Sequence, residues 1–142
     1  MSIQMNNDIL VSEVMLPIEM CPVILEKAIL KEALEQMCLF KLGMSCIIDS
    51  KGKLLGVLTD GDIRRKLLIS QKPLSSLFVD DAINHSIRTP IKVKPSESLF
   101  ESVRMMDKKK IWDLPVVDHD DNLLGILHSH RAVAVLLGIN NE

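Results

Sequence analysis

The chain repeats itself. Residues 30–68 align with residues 99–137 at a constant offset of 69, with no gap. Leu30, Glu32, Met37, Lys41, Asp49, Leu54, Leu55, Gly56, Leu58, Leu67 and Leu68 fall on Leu99, Glu101, Met106, Lys110, Asp118, Leu123, Leu124, Gly125, Leu127, Leu136 and Leu137. A tandem duplication of this length implies two similar units packed as one body, with a pseudo-twofold cleft between them. Related strand ends and helix starts from both copies converge on such a cleft. Single units of this size bury too little surface alone, so the pair must fold together.

Each copy carries the same order of signals. A short β-rich run opens it, "CPVIL" in the first and "PIKV" in the second. A helix follows, with Ile29, Ala33, Leu34, Met37 and Cys38 at helical spacing, and Leu99, Val103 and Met106 likewise. Ser96 or Ser98 caps the second of these helices. Apolar strands "MSCIID" and "LPVVD" come next, then polar turns "SKGK" and "HDDN", then strands "LLGVL" and "LLGIL". A last amphipathic helix runs from about Asp62 to Ser70, and from about His128 to Leu137. The expected fold class is α/β: two strand-helix-strand-strand-helix repeats packed with pseudo-twofold symmetry. The first repeat is placed at residues 11–70 and the second at 89–138. The connector, 71–88, contains Pro73, Ser75, Ser76 and a short helical piece, and is too apolar for a floppy linker.

Composition excludes several classes. Aromatics make up only 3% of a chain that is 47% apolar, so Leu, Ile, Val and Met must fill the interior. Eight Met residues suit an adaptable core or subunit contact. A net charge of −2 provides no global field for nucleic acid or an anionic membrane. No apolar run is long enough to span a bilayer, and "MSIQMNNDILVSEVM" is not a signal peptide. Cys21, Cys38 and Cys46 lack C-x-x-C spacing and read as buried, reduced thiols of a cytoplasmic protein. No nucleophile–base constellation is present, and "SKGK" is not a phosphate-binding P-loop. Catalysis by this chain and metal binding by His128 and His130 are not expected.

The string "GVLTDGD" (Gly56 to Asp62) resembles the Gly-apolar-apolar-Thr-x-x-Asp signature of the CBS domain, and the duplication resembles a CBS pair, or Bateman module. The likeness covers about Val11 to Gly138. At finer grain, "LGMSCIIDSKGKLLGVLTDGDIRR" with "LPVVDHDDNLLGILHSH" is similar to the C-terminal CBS pair of arabinose-5-phosphate isomerases, which serve Kdo, lipopolysaccharide and capsule synthesis. "TDGDIRR" also occurs in CBS pairs fused to sugar nucleotidyltransferases. No sugar-isomerase domain is recognisable in this chain, so the resemblance implies a regulatory part rather than a catalytic one.

In CBS pairs the signature Thr and Asp bind a nucleotide's ribose and phosphate, which implies such roles for Thr59 and Asp62. The residue chemistry agrees: a hydroxyl, a carboxylate able to accept from a cis-diol, and a helix N-terminus that favours an anion. Gly61 lets the backbone approach closely, and Arg64 and Arg65 suit phosphate or a sugar carboxylate. Asp62 fits helix capping equally well, and the two arginines a solvated helix face. Ser45 and Val23 sit where a strand edge flanks a base, or simply pack the core. The second copy reads "GILHSHR", with His128 for Thr and Arg131 for Asp. Arg has no acceptor for a ribose diol, so His128 and Arg131 either hold an anionic group or belong to a vestigial half-site. Trp112 is read as a half-buried anchor. No cofactor is expected. The implied effector is a nucleotide, AMP or ATP, or a CMP-linked sugar acid. The implied partners are a sugar-isomerase domain in cis or trans and a second copy in a homodimer. The rival is a dimerisation module that binds nothing.

Overall fold

A computed structural model describes residues 8–139 of the chain. Among these residues the strands form two three-stranded sheets. In the first repeat, β2 (Val23–Leu25) pairs parallel with β3 (Met44–Ile48), which pairs antiparallel with β4 (Leu54–Thr59). Helix α1 (Leu30–Phe40) crosses between β2 and β3, α2 (Asp60–Ile69) follows β4, and α3 (Leu74–Phe78) lies in the connector. In the second repeat, α4 (Leu99–Lys109) leads into β5 (Asp113–Val117), then β6 (Leu123–His128) and α5 (Ser129–Leu136). Ser98 caps α4 by accepting from the Glu101 amide. Two repeats of mixed α/β structure are therefore present in the order the duplication implies.

The third strand of the second sheet comes from an unexpected place. Strand β1 (Leu16–Pro17), near the start of the first repeat, pairs antiparallel with β6 of the second. Conversely, Ile87, ahead of the second repeat, bridges to Val57 on β4 of the first, with both amides bonded to the facing carbonyls. The exchange is reciprocal bond for bond. The Val11 amide donates to the Glu97 carbonyl and the Leu99 amide to Ile9, while the Ala82 amide donates to Ala28 and the Leu30 amide to Asp80. Each repeat is thus closed by a strap, the segment that leads into the other repeat's first helix. Val11 and Val14 are buried with Leu99, Met106, Leu114 and Leu127, whereas Leu77 and Ala82 are buried with Leu30, Ala33, Ile47 and Leu58. Between these cores the two sheets meet through Met44, Cys46, Leu54, Val57, Leu123 and Ile126.

"PIKV" does not form the strand its composition suggests. Only Val93 bridges to Val116, where the first repeat has a three-residue ladder. In that ladder the Cys46 amide donates to the Pro22 carbonyl. The counterpart of Cys46 is Pro115, which has no N–H, so the bond is lost and the strand shrinks to one bridge. The cysteines are free, but Cys38 is exposed rather than buried, on the outer face of α1. Burial pushes the Cys21 thiol up to about 11 and the Cys46 thiol higher still.

The two polar turns match in detail. Asp49 Oδ1 accepts from the amides of Lys51 and Lys53, and Asp118 Oδ1 from those of Asp120 and Asn122. Gly52 takes a φ of 91° and its counterpart Asp121 one of 65°, so an Asp occupies a left-handed position that Gly fills in the first copy. The turns meet each other: the Leu54 amide donates to Asp121 and the Leu123 amide to Gly52. That meeting point lies at the opposite end of both hairpins from the starts of α2 and α5.

Candidate functional site

At that other end the two repeats leave a cleft of about 1240 Å³. This exceeds the roughly 300–1,000 Å³ of ordinary small-molecule pockets. Thr59, Gly61, Asp62, Arg64 and Arg65 line it from the first repeat, and His128 from the second. Thr59 caps α2. Its Oγ1 accepts from the Asp62 amide at 3.1 Å, and its O–H donates to Asp62 Oδ2 at 2.8 Å. Capping therefore falls to Thr59, and Asp62 is its partner in the first turn. The other oxygen, Oδ1, accepts from Arg65 Nη2 at 2.7 Å. Arg64 lies in the same cleft, with no protein partner among the described residues. Both guanidinium groups fold back over Gly61, where an added Cβ would meet Arg65 Nη1 at 3.4 Å. Behind Asp62 and Arg65 lies a smaller hollow of about 260 Å³, lined also by Lys66, Ile69, Asn84, His85, Ser86 and Ile87. His85 Nε2 contacts Asp80 Oδ2 at 3.0 Å, while its buried Nδ1 has no partner among the described residues.

Three expected site residues lie elsewhere. Ser45 is fully buried and donates to the Ala33 carbonyl at 2.8 Å, which ties β3 to α1. Val23 packs between the sheets near Leu16 and Ile48 and does not reach the cleft. Arg131 turns away to donate from Nε to the Val14 carbonyl at 2.9 Å, so it secures the strap instead of facing a ligand. The first two were drawn to a strand edge that the sheet interface and α1 in fact cover.

The second wall is built from different chemistry at every matching position. Gly43 corresponds to Trp112, Met44 to Asp113, Thr59 to His128 and Gly61 to His130. Trp112 is 76% exposed at the cleft, not a buried anchor. His128 Nδ1 lies 2.7 Å from Asp113 Oδ1, and the carboxyl side chain is only 7% exposed. Burial pushes the Asp113 carboxyl above its ordinary range, against the opposing hydrogen bond and charge of His128. His128 and His130 stack, with ring centroids 6.4 Å apart. Asp113, Lys110 and His85 escaped the sequence reading, yet a signal for Asp113 existed. The hairpin register set by "HDDN" places it opposite His128 on the neighbouring strand. Among the described residues no cluster of His, Cys, Asp or Glu has the makings of a metal site, and no helix is long and apolar enough to cross a membrane.

Known proteins share this architecture. CBSX2 crystallised in complex with AMP superposes with a TM-score of 0.78 at 28% identity, over 91% of this chain and 96% of that one. An acetoin utilization protein (AcuB) from Vibrio cholerae, so described provisionally, gives 0.77 at 26% identity, over 92% and 91%. Among curated sequences, arabinose 5-phosphate isomerase KdsD of Pseudomonas aeruginosa is 34% identical over 84% of this chain and 36% of its own length. KdsD of Escherichia coli K12 is 32% identical over 77% and 32%. The chain thus spans about a third of the length of these curated relatives. The CBS domain model matches twice, at residues 11–69 and 79–138, and the chain belongs to the CBS domain family as a tandem pair.

Proposed function

We propose that this CBS pair senses a nucleotide or nucleotide-sugar and passes its occupancy to a sugar-phosphate isomerase of the arabinose-5-phosphate isomerase type. The observation that carries the reading is the position of the Asp62 carboxylate on the wall shared by the large cleft and the smaller hollow. A ribose diol seated on Asp62 directs its base toward the hollow, where His85 Nδ1 lacks a partner. Its phosphate then points toward Thr59, the start of α2 and Arg64. The complex of CBSX2 with AMP supports a nucleotide as the class of ligand, and the KdsD relatives support an isomerase as the recipient. Ligand binding shifts the relative angle of the two repeats. A coupled enzyme feels that shift as roughly 1–3 kcal/mol, about 5- to 150-fold in affinity.

Thermal unfolding in the presence of AMP, ATP, CMP and a CMP-linked sugar acid tests the binding step. A ligand at about 100 times its dissociation constant stabilises the fold by roughly 2.7 kcal/mol. Asp62→Ala removes an ion pair worth at most about 1 kcal/mol and the Thr59 hydroxyl's hydrogen bond, worth about 0.5–1.5 kcal/mol. Both are a small part of a domain's roughly 5–15 kcal/mol, so the variant folds and its loss of response is interpretable. A raised midpoint with one nucleotide class, absent in Asp62→Ala, supports the sensor. No response to any of the four sinks it. The coupling step is read from arabinose-5-phosphate isomerase activity, assayed with and without this chain. A nucleotide-dependent change of rate only in its presence supports the assignment, and an unchanged rate with bound nucleotide removes the isomerase from it.

A second reading rests on exposed apolar residues at the end of α2. Leu68 and Ile69 are 80% and 75% exposed, and Leu137 and Ile139 lie open beyond α5. Such a surface suits association with a second copy. Assembly and sensing are compatible, and a homodimer belongs to the same proposal.

A further inference from the structure

The charges around the cleft nearly cancel without its histidines. Asp60, Asp62 and Asp113 supply three carboxylates; Arg64, Arg65 and Lys110 supply three cations. Asp62 and Arg65 neutralise each other directly. His128 and His130 therefore decide whether the cleft attracts a further negative group, and both stand on the wall opposite Thr59 and Asp62.

His128 is held for such a task. Its Nδ1 lies 2.7 Å from Asp113 Oδ1, a contact that fixes the orientation of the ring. Its other nitrogen, Nε2, has no protein partner among the described residues, although the ring lines the cleft and is 31% exposed. A mostly buried carboxyl group needs a hydrogen-bond partner, and the His128 ring beside it is that partner. His130 stacks on the same ring, and Lys110 closes the wall with an ammonium that forms no ion pair among the described residues. The corresponding residues of the first repeat, Met44, Thr59 and Gly61, offer no such arrangement. Asp60 is the opposing group. It faces this region from the start of α2, its Oδ1 accepts from the Gly61 amide, and its charge is felt by Asp113.

We infer that His128, positioned by Asp113 and joined by His130, forms a second anion subsite that selects ligands bearing another negative group beyond the one at Thr59 and Arg64. The inference rests on the nucleotide reading of the first wall. It narrows the effector to a nucleoside carrying two anionic groups, such as a diphosphate or a nucleotide joined to an acid. Arg131 takes no part, because it is committed to the Val14 carbonyl.

The test compares AMP with ADP, and CMP with CDP, by calorimetric titration of the whole chain. The wild-type protein binds the diphosphate of the preferred base about tenfold or more tightly than its monophosphate. In His128→Gln that ratio falls to within about twofold of unity, while monophosphate affinity stays within about twofold of wild type. Asp113→Asn leaves monophosphate binding intact and lowers the ratio; loss of a merely structural carboxylate would leave the ratio unchanged. If wild type and His128→Gln show the same ratio, the subsite is wrong and the nucleotide reading stands. If wild type binds none of the four, both fall together. Should His128→Gln fail to fold, His130→Asn is used, and an unchanged ratio there overturns the paired-histidine subsite.

Discussion

At the residue scale, the same carboxylate chemistry acts with opposite sign in different settings. The Lys53 amide leads in holding the Asp49 carboxyl below its ordinary range, with the Lys51 amide adding to it; the Asn122 amide leads for Asp118. These groups bind a proton less readily folded than unfolded, so their stabilisation is complete above about pH 4. It disappears as pH falls through the lowered native values. Asp113 behaves the other way, because burial raises it. Its contribution is present below about pH 4 and is lost as pH rises through the raised native value, where His128 offsets part of the cost. Urea midpoints measured from pH 3 to pH 7 check both signs. The double variant Asp49→Asn, Asp118→Asn falls below wild type at neutral pH and converges on it toward pH 3. Asp113→Asn gains relative to wild type as pH rises. A pH-independent gap in either series contradicts the assignment.

At the element scale, the signature glycines serve the sheets before they serve any ligand. Gly125 faces Pro17 across the β1–β6 ladder, and a Cβ there would run into the Leu16 carbonyl oxygen. Gly56, its counterpart, lies under the other strap, where a Cβ would meet Ser86 Oγ at 2.7 Å and the Ile87 carbonyl at 3.0 Å. Gly125→Ala and Gly56→Ala each cost about 1–3 kcal/mol, measured as a drop in urea midpoint. Gly125→Ala costs more, because its first obstacle is backbone while that of Gly56 is a side chain able to rotate. Equal and negligible effects would mean that the straps do not press on these strands. The sequence shows the helices and hairpins readily, because their periodicity and turn chemistry are local: Ser98, Asp49 and Asp118 are found where their residue types predict. The straps are not local. Leu16–Pro17 is two residues long, carries a proline, and pairs with a strand more than a hundred positions later. At the cleft, Thr59 and Asp62 lie where the resemblance to the CBS signature puts them, whereas Arg131 lies away from it because its partner, the Val14 carbonyl, belongs to a strap.

At the scale of the whole molecule, removal of the first strap should damage the wrong half of the chain. Val11 and Val14 are fully or almost fully buried against the second repeat. Each such side chain contributes about 1.5–3 kcal/mol, a large share of an ordinary domain's 5–15 kcal/mol. A protein lacking residues 1–17 is therefore expected to lose hydrogen-exchange protection first in α4 and β6, with β3 and β4 the last to open. Earlier loss in the first repeat, which is contiguous with the cut, would contradict the exchange. The crossed arrangement also bears on signalling. Neither repeat can leave the other without breaking a strap, so any relative motion pivots on the Met44, Cys46, Val57 and Ile126 interface without parting them.

The exchanged straps carry one more consequence, for a chain half this length. One repeat made to this plan would own a strap that fits only its neighbour, and its own sheet edge would stay bare. Two such chains in solution could each complete the other, in an association governed by dilution. Joining them head to tail turns that bimolecular encounter into an internal one at a fixed effective concentration. In that sense the duplicated chain is a dimer that can no longer be diluted apart.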